Sequence, residues 1–513
     1  MIILKQLWVY VRIKSMNFNI KNLIKNVIWG FGGQLLVIIL GIIVPRIMIA
    51  NYGSDVNGLL GTVGQIFVYL ALLEAGIGQA AQNALYKPLT EKKHDLFSSI
   101  ASSAQKYYRN ITKYYALGVI VLSFVAPIIF VSEVSRITIF SVVLLEGVSG
   151  VLSFYFVQTK ILIIGISGKG YVNNGVTLLA KCAGYMARII LASMGIPIVL
   201  LQATYFIITI CKVFFYNLYF KRKFEWVNLA ASSNNIVLKD RNSYVLTEIA
   251  WTLFSSTDMV ILSIFVSTQL SSVYSVYYMV FSNLNVLLSA VYNNLNYMLG
   301  IKFHKNIEEY KTLHDIFTST FMGIMTVLMS VSYVLIIPFI ELYTNGVADI
   351  EYIYPSLPVL FCMVQLISWS RYSSGNLTGI AGYAKPTAVV SLIEALTNLV
   401  LSIVFVNLWG IVGVLFATVV ALPIKAIWCV YIADKRVMRR SCWNTIKIWI
   451  ANYLVFGFAI LLKECVSIQI DNYGTFIWYG FLFVALFGIL GLMSNIIANR
   501  KGTKMLFQYI RKR

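Results

Sequence analysis

The sequence predicts an all-α polytopic membrane protein with about 14 transmembrane helices. Hydrophobic residues make up 59% of its 513 positions and charged residues only 12%, about half the charged share of a typical soluble protein. Apolar runs of about 20 residues, long enough to cross a bilayer as a helix, recur along the whole chain. A β-barrel would instead show short segments of alternating hydrophobicity.

The distribution of Lys and Arg predicts the orientation. The chain has 41 Lys and Arg against 20 Asp and Glu, and with the N-terminus inside 33 of these 41 cations fall in cytoplasmic segments. The predicted outer loops keep only Arg136 and Lys463. Because positively charged loops stay on the cytoplasmic side, we expect both termini to be cytoplasmic. Topology therefore explains the net charge of +21, and we expect no nucleic-acid partner.

The predicted spans follow one another with short connections. They are residues 26–50, 57–85, 114–132, 137–159, 171–193, 197–219, 244–267, 271–300, 316–342, 353–379, 386–407, 410–433, 446–463 and 475–498. The longest outer connection, ELYTNGVADIEYIY, carries acids and no base. Such short outer loops leave no room for a sizeable catalytic domain. A transporter is therefore favoured over an enzyme such as a membrane glycosyltransferase or polymerase.

An internal repeat divides the chain into two lobes. Residues 168–204 align with 380–418 at an offset of about 212 to 215 positions. The matched pairs are Gly170-Tyr171 with Gly382-Tyr383, Gly195-Ile196 with Gly410-Ile411, and Ala203-Thr204 with Ala417-Thr418. Six helices per repeat is an even number, so both lobes insert in the same orientation. We expect a pseudo-two-fold axis along the membrane normal and a central cleft whose access alternates.

These observations predict the following organisation. Residues 1–24 form a basic leader or interfacial helix, 25–223 the first lobe, 224–243 a cytoplasmic linker, 244–440 the second lobe, and 441–513 two additional helices with a basic tail. Met16 is an alternative start to Met1. The six cysteines are scattered singly and predict neither a disulfide framework nor a metal site.

Cations within the spans are candidates for binding substrate, because a charge at mid-bilayer depth costs about 2.5–3.5 kcal/mol. Lys181 and Arg188 are seven residues apart and share a helical face with Tyr185. Arg46 lies toward the outer end of the first span, and Arg371 stands among Ser and Asn. Cations lining a cleft suit an anionic substrate, above all a phosphate. Pairing with carboxylates and snorkelling are the alternatives.

Acids within the spans are candidates for ion coupling, with Na⁺ or H⁺ as the driving ion, or for ion pairs. They are Glu74, Glu146, Glu248, Asp258 and Glu394. The repeat places Asp258 near the position of Arg46, so the two could latch one conformation. Polar residues expected to line the cavity are Gln65, Gln79, Tyr185 and Asn398, the last on the same face as Glu394. We expect no cofactor besides the coupling ion.

Three stretches resemble a known family. NVIWGFGGQLLVIILGIIVPRIMIANYGSDVNGLLGTVGQIFVYLALLEAGIG resembles the opening of polysaccharide exporters and O-antigen flippases of the multidrug/oligosaccharidyl-lipid/polysaccharide exporter (MOP) superfamily. SSTDMVILSIFVSTQLSSVYSVYYMVFSNLN is similar to their seventh and eighth helices, and SLIEALTNLVLSIVFVNLWGIVGVLFAT to their eleventh and twelfth. The resemblance covers residues 17 to 500.

The resemblance implies a V-shaped transporter that flips an undecaprenyl-pyrophosphate-linked oligosaccharide across the bacterial cytoplasmic membrane for surface polysaccharide synthesis. It implies a cationic cavity in which Arg46 meets the pyrophosphate. Membrane lipids and the polymerase and glycosyltransferases of the same pathway are the expected partners. A Na⁺- or H⁺-coupled drug antiporter and a lipid II flippase of the same superfamily remain the alternatives.

Overall fold

The computed structural model describes residues 33–74, 77–231, 241–466, 469–500 and 502. Within these ranges the chain is helical and contains no β-strand. The predicted leader, the start of the first span and the middle of the linker between the lobes lie outside the described residues. The choice between Met1 and Met16 lies there too.

The helices are defined here in chain order. They are α1 (Gly33–Ala71), α2 (Ile77–Thr90), α3 (His94–Ile129), α4 (Arg136–Phe156), α5 (Gln158–Ile164), α6 (Gly170–Ser193), α7 (Ile198–Lys223), α8 (Arg241–Phe265), α9 (Thr268–Lys305), α10 (Ile307–Tyr343), α11 (Leu357–Ser370), α12 (Tyr372–Ile380), α13 (Ala384–Val430), α14 (Trp443–Cys465) and α15 (Tyr473–Ala498). Following the sequence repeat, we refer to α1–α7 as the first lobe and to α8–α13 as the second lobe.

Polar side chains cap several helix starts. The Ser135 hydroxyl accepts a hydrogen bond from the Thr138 N–H at the start of α4. Asn306 does the same for two N–H groups of α10, and Asn472 for one of α15. Each cap satisfies backbone donors that the first helical turn leaves unpaired.

Nine helices in the described ranges are long and apolar enough to cross a membrane, so the chain is a multi-pass membrane protein. Helices α1 and α13 each contain a break. Helix α1 has 39 residues and would measure about 58 Å if straight, against a hydrocarbon core of about 30 Å. It breaks at Gly53, whose φ of 83° favours glycine. The total of about 14 crossings stays a prediction.

Helix α13 folds into a hairpin. Its 47 residues break at Gly410, where φ is 55°. The Trp428 indole N–H donates to the Thr387 hydroxyl at 3.2 Å, although a straight helix would hold these residues about 60 Å apart. The hairpin turn at Gly410 matches the turn between α6 and α7, where Gly195 also has a positive φ of 70°. Equivalent positions of the sequence repeat therefore form equivalent turns.

The two ends of the helix bundle differ in character. At one end the Gly53 corner, the turn after α3 and the start of α9 lie together: the Val131 N–H donates to the Ser263 carbonyl at 3.0 Å, and the Thr268 N–H donates to the Val131 carbonyl at 2.9 Å. We call this end the outer side, because it carries predicted outer loops. The opposite end, where α3 begins and α7 ends in Lys221–Lys223, is called the basic side.

The additional helices α14 and α15 pack on α10 of the second lobe. The amides of Asn452 and Asn495 exchange two hydrogen bonds of 3.1 Å between α14 and α15. Asn495 also lies over Gly323 of α10, where a Cβ would approach its amide nitrogen to 2.9 Å. Since polar groups in an apolar interior need partners, this reciprocal pair fixes how the two helices meet.

Candidate functional site at the interface between the lobes

The lobes meet along a row of polar side chains on the outer side, which we call the outer seam: Ser54, Asp55, Asn57 and Thr62 of α1 with Ser263, Thr268, Ser272 and Ser275 of α8 and α9. The Asn57 amide donates to the hydroxyls of Ser272 and Ser275 at 2.8 and 3.2 Å. The hydroxyls of Thr62 and Ser263 are 2.6 Å apart, and the Thr268 hydroxyl donates to the Asp55 carboxylate. These bonds hold the outer side closed.

Close backbone approach accompanies these bonds. A Cβ at Gly58 would overlap the carbonyl oxygen of Thr268 on α9. Glycine is therefore required where α1 crosses the second lobe.

The outer seam lies near the pseudo-two-fold axis. Asp55 and Thr268 are 213 positions apart, and Asn57 and Ser272 are 215 apart, which is the offset of the sequence repeat. Residues at the same position of two symmetric halves touch only close to the axis that relates them. The repeat found in the sequence is thus visible in the contacts between the lobes.

The loop after α10, residues 344–356, covers the outer seam. The carboxylate of Asp349 accepts from the Ser54 N–H at 2.6 Å and from the Ser54 hydroxyl at 2.7 Å. The Tyr352 hydroxyl is hydrogen-bonded to the hydroxyls of Ser54 and Ser272, at 2.6 and 2.9 Å. Hydrogen bonds therefore connect this loop of the second lobe to the Gly53 corner of the first lobe.

The predicted cation Arg46 belongs to this outer closure. Its guanidinium donates to the backbone carbonyl of Asn345, and one turn earlier the Ile42 carbonyl accepts from the Tyr343 hydroxyl at 2.6 Å. The structure does not bring Arg46 to Asp258, so the latch between these two residues is absent here.

Asp258 lies below the outer seam in a small pocket between the lobes. The pocket is lined by Gln65 of α1, by Ser255, Ser256, Asp258 and Met259 of α8, and by Tyr274 and Tyr278 of α9. Asp258 is buried, and its Oδ2 accepts a hydrogen bond of 2.9 Å from the Tyr274 hydroxyl. Its Oδ1 accepts none from the described part of the chain.

One further contact, between Tyr69 and Thr257, places the Asp258 pocket in the lobe interface. The hydroxyls of Tyr69 of α1 and Thr257 of α8 are hydrogen-bonded beside it. Thr418 of α13 approaches the Asp258 carboxylate, but its hydroxyl donates to Asn398 Oδ1 at 3.1 Å. Asp258 is therefore a buried carboxylate with unused hydrogen-bonding capacity, next to a contact between the lobes.

Arg371 and Glu394 form an ion pair inside the second lobe. Their side chains are only 7% and 3% exposed, and the charge of Lys425 also acts on the pair. Asn398, four residues after Glu394, has different partners, because its Oδ1 accepts from Ser402 and Thr418. The predicted shared face of Glu394 and Asn398 is thus buried within the lobe.

Lys181 and Arg188 lie on α6 of the first lobe. The Arg188 guanidinium lies 4.5 Å from the centre of the Tyr205 ring of α7, and Lys181 is exposed. Lys212 of α7 is close enough to Lys181 for their charges to interact. No carboxylate of the described residues lies within 4 Å of any of these three cations. The neighbouring Tyr185 packs at Gly41 of α1, so the cations flank the helix that forms the outer seam.

The remaining predicted residues lie in the first lobe and at the start of the second. Glu146 accepts a hydrogen bond from the amide of Gln202, and Glu74 accepts one of 3.3 Å from Gln158. Gln79 is in α2 and Glu248 in α8, but their side chains lie outside the described part of the structure.

Sequence reasoning missed Asp55 and Asp349 as members of the interface. Asp55 accepts from the N–H groups of Glu133 and Val134, at 2.6 and 3.0 Å, as well as from Thr268. One signal was available for Asp349: its loop carries acids and no base. What the acids bind could not be read from the loop.

The chain matches no protein-family model, and no curated protein matches its sequence. Solved structures of MOP superfamily transporters share its fold. Lipid II flippase MurJ in an inward closed conformation superposes with a TM-score of 0.65 at 15% identity, covering 92% of this chain and 99% of that one.

Two other transporters have the same fold. An inward-facing multidrug resistance MATE family transporter of the MOP superfamily has a TM-score of 0.62 at 11% identity, covering 85% of this chain and 99% of its own. A MOP superfamily transporter from Pyrococcus furiosus has a TM-score of 0.58 at 13% identity, covering 82% and 97%. The superpositions show a shared fold, and identities this low show nothing about the substrate.

Proposed function

We propose that the protein is a flippase that moves an undecaprenyl-pyrophosphate-linked oligosaccharide across the bacterial cytoplasmic membrane by alternating access, for surface polysaccharide synthesis. Two lobes closed at one side by hydrogen bonds support this mechanism, because such a seam can open without breaking the core of either lobe. The polymerase and glycosyltransferases of that pathway are the proposed partners.

The observation that carries the proposal is the cation set Lys181, Arg188 and Lys212. Cations at membrane depth are expensive, and no carboxylate within 4 Å among the described residues offsets these three. A pyrophosphate linked to a lipid would supply the missing negative charge, since phosphate oxygens accept charge-assisted hydrogen bonds from Arg and Lys. In this proposal Arg46 helps to close the outer side, and the substrate phosphates move along α6 and α7.

We further propose that Na⁺ or H⁺ drives transport through Asp258. The Oδ1 atom of this buried carboxylate has no hydrogen-bond donor in the described chain, and it lies beside the contact between Tyr69 and Thr257. An ion bound there would alter the charge at the lobe interface, which is how a bound ion can bias two conformations.

Two alternatives have specific support. A lipid II flippase would use the same cations, because lipid II is also a lipid-linked pyrophosphate. An ion-coupled drug antiporter would rely on Asp258 and have no need of Lys181 or Arg188. The fold is shared by transporters with both kinds of printed description, so the substrate must be decided by experiment.

The test is reconstitution in liposomes with three substrates: an undecaprenyl-pyrophosphate-linked oligosaccharide, lipid II and a cationic drug. We expect the oligosaccharide to be flipped, and we expect Lys181→Ala/Arg188→Ala to slow flipping about tenfold or more. Lys221→Ala/Lys223→Ala, which removes two exposed charges from the end of α7, is the matched control and should retain activity.

The results separate the candidates. Flipping of lipid II alone would replace the proposed substrate, and drug transport unaffected by the double variant would establish the antiporter. Asp258→Asn should abolish the dependence on a Na⁺ or proton gradient. Gradient dependence that survives in Asp258→Asn would exclude this residue as the coupling site.

A further inference from the structure

A cluster of cations lies on the first lobe, separate from the outer seam and the Asp258 pocket. The Arg109 guanidinium of α3 lies 5.0 Å from the centre of the Tyr155 ring of α4. The Lys160 ammonium of α5 donates to the Phe156 carbonyl at 2.9 Å and to the side-chain oxygen of Asn217 of α7. Four helices of the first lobe thus meet at this point.

The cluster lies at the level of the lipid headgroups. Arg109 is 20 residues from the outer end of α3 at Ile129, and Tyr155 is 19 residues from the outer start of α4 at Arg136. Asn217 is 19 residues from the outer start of α7. At 1.5 Å per residue all three lie about 30 Å from the outer side, which is the thickness of the hydrocarbon core.

The surface around the cluster faces lipid. The exposed stripe of α3 is apolar from its outer end and then becomes basic at Lys113 and Arg109. Its apolar members, each more than half exposed, are Leu117, Ile120, Phe124 and Ile128. On α7, Phe214 is 64% exposed one turn from Asn217. Acyl chains can therefore cover this surface directly above the two cations.

The charges of the cluster are not balanced by the protein. No carboxylate of the described residues lies within 4 Å of Arg109 or Lys160, and the Arg109 charge acts on Lys160. Lys160 uses two of its three N–H donors on Phe156 and Asn217, which fixes the ammonium and leaves one donor. The Arg109 guanidinium lies over the Tyr155 ring, and its N–H groups are donors that a phosphate can use.

We propose that Arg109, Lys160 and Asn217 form a binding site for the phosphate of an anionic phospholipid in the leaflet on the basic side. The third N–H of Lys160 and the edge of the Arg109 guanidinium bind the phosphate oxygens. The acyl chains lie along Phe214 and the apolar stripe of α3. The site requires nothing of the transported substrate, so it stands or falls independently of the proposed flippase activity.

The experiment is native mass spectrometry of the purified full chain titrated with phosphatidylglycerol, with phosphatidylcholine as the neutral lipid. Each Lys or Arg near a membrane surface contributes to the binding free energy of anionic lipids, so the loss of two should weaken phosphatidylglycerol binding about tenfold to thirtyfold. We expect this loss of phosphatidylglycerol in Arg109→Ala/Lys160→Ala. The control Lys221→Ala/Lys223→Ala removes the same charge from the same side of the lobe and should bind normally.

Asn217→Asp is the second variant, because it keeps the size of the side chain and places a carboxylate against Lys160. It should also weaken phosphatidylglycerol binding. If the double variant does not fold, this single variant tests the site. Equal losses in the control would show general surface attraction, and unchanged binding in Asn217→Asp would overturn the site. Displacement of the lipid from the wild type by excess inorganic phosphate would identify a site for soluble anions instead.

Discussion

Replacing Asp349 by Ala should open the outer side of the protein. The substitution removes the two hydrogen bonds that the carboxylate accepts from Ser54, at 2.6 and 2.7 Å. Ser54 is fully buried, so in the closed state its N–H loses its partner. Hydrogen bonds to a charged group contribute about 1.5–3 kcal/mol each, but Asp349 itself is exposed and water recovers part of this.

We therefore expect the closed state to lose about 1–2 kcal/mol, which is a five- to thirtyfold shift toward the open state. The measurement is the distance distribution between spin labels at Ile137 on the first lobe and Tyr473 near the second. Both positions are exposed, and Tyr473 donates to the Leu342 carbonyl near the outer end of α10. The labels are introduced after replacement of the six native cysteines.

The control is Glu351→Ala, which removes an exposed acid from the same loop. Its distance distribution should match that of the unmodified loop, because Glu351 makes no hydrogen bond to α1 within the described structure. A double-mutant cycle with Ser54→Ala should give a coupling energy of about 1 kcal/mol. Equal distributions for Asp349→Ala and Glu351→Ala would refute the assignment of this loop to the outer closure.

Three further changes test other contacts. Gly58→Ala should separate the lobes on the outer side, because the added Cβ overlaps a carbonyl of α9; an unchanged label distance would contradict this. Arg371→Met should lower the free energy of unfolding by about 3–5 kcal/mol, because it leaves Glu394 buried and unpaired, and Arg371→Met/Glu394→Leu should recover much of this loss. Thermal unfolding in detergent measures both variants. A double variant no more stable than the single variant would argue against a stabilising ion pair. Asn495→Leu should lower the unfolding temperature, because the Asn452 side-chain oxygen loses the donor that Asn495 supplies, whereas Asn495→Leu/Asn452→Leu should be less damaging.

Much of the fold could be predicted because membrane insertion depends on local properties. Whether a run of apolar residues can cross the membrane depends on its own length and composition. Hydropathy therefore indicated the positions of the long helices. The repeat was also visible locally, through landmarks such as Gly195 and Gly410. The structure places both residues at hairpin turns with positive φ.

The candidate site could be predicted only in part. The rule that charges at depth are functional or paired selected Lys181, Arg188, Asp258 and Arg371, but it could not assign their partners. In the structure Arg371 forms an ion pair with Glu394, whereas no carboxylate of the described residues lies within 4 Å of Lys181 or Arg188. Each partner depends on how the helices pack.

The sequence by itself determined that this chain crosses a membrane many times, that it contains two related halves, and that cations lie within its first lobe. Only the tertiary structure decided that Arg46 and Asp349 close the outer side and that Asp258 faces the interface between the lobes. The physical reason is the separation along the chain of the residues that interact. Transfer free energy is summed over neighbouring residues, whereas the outer seam and the loop that covers it join residues some 200 to 300 positions apart. These contacts exist only after the lobes have packed together.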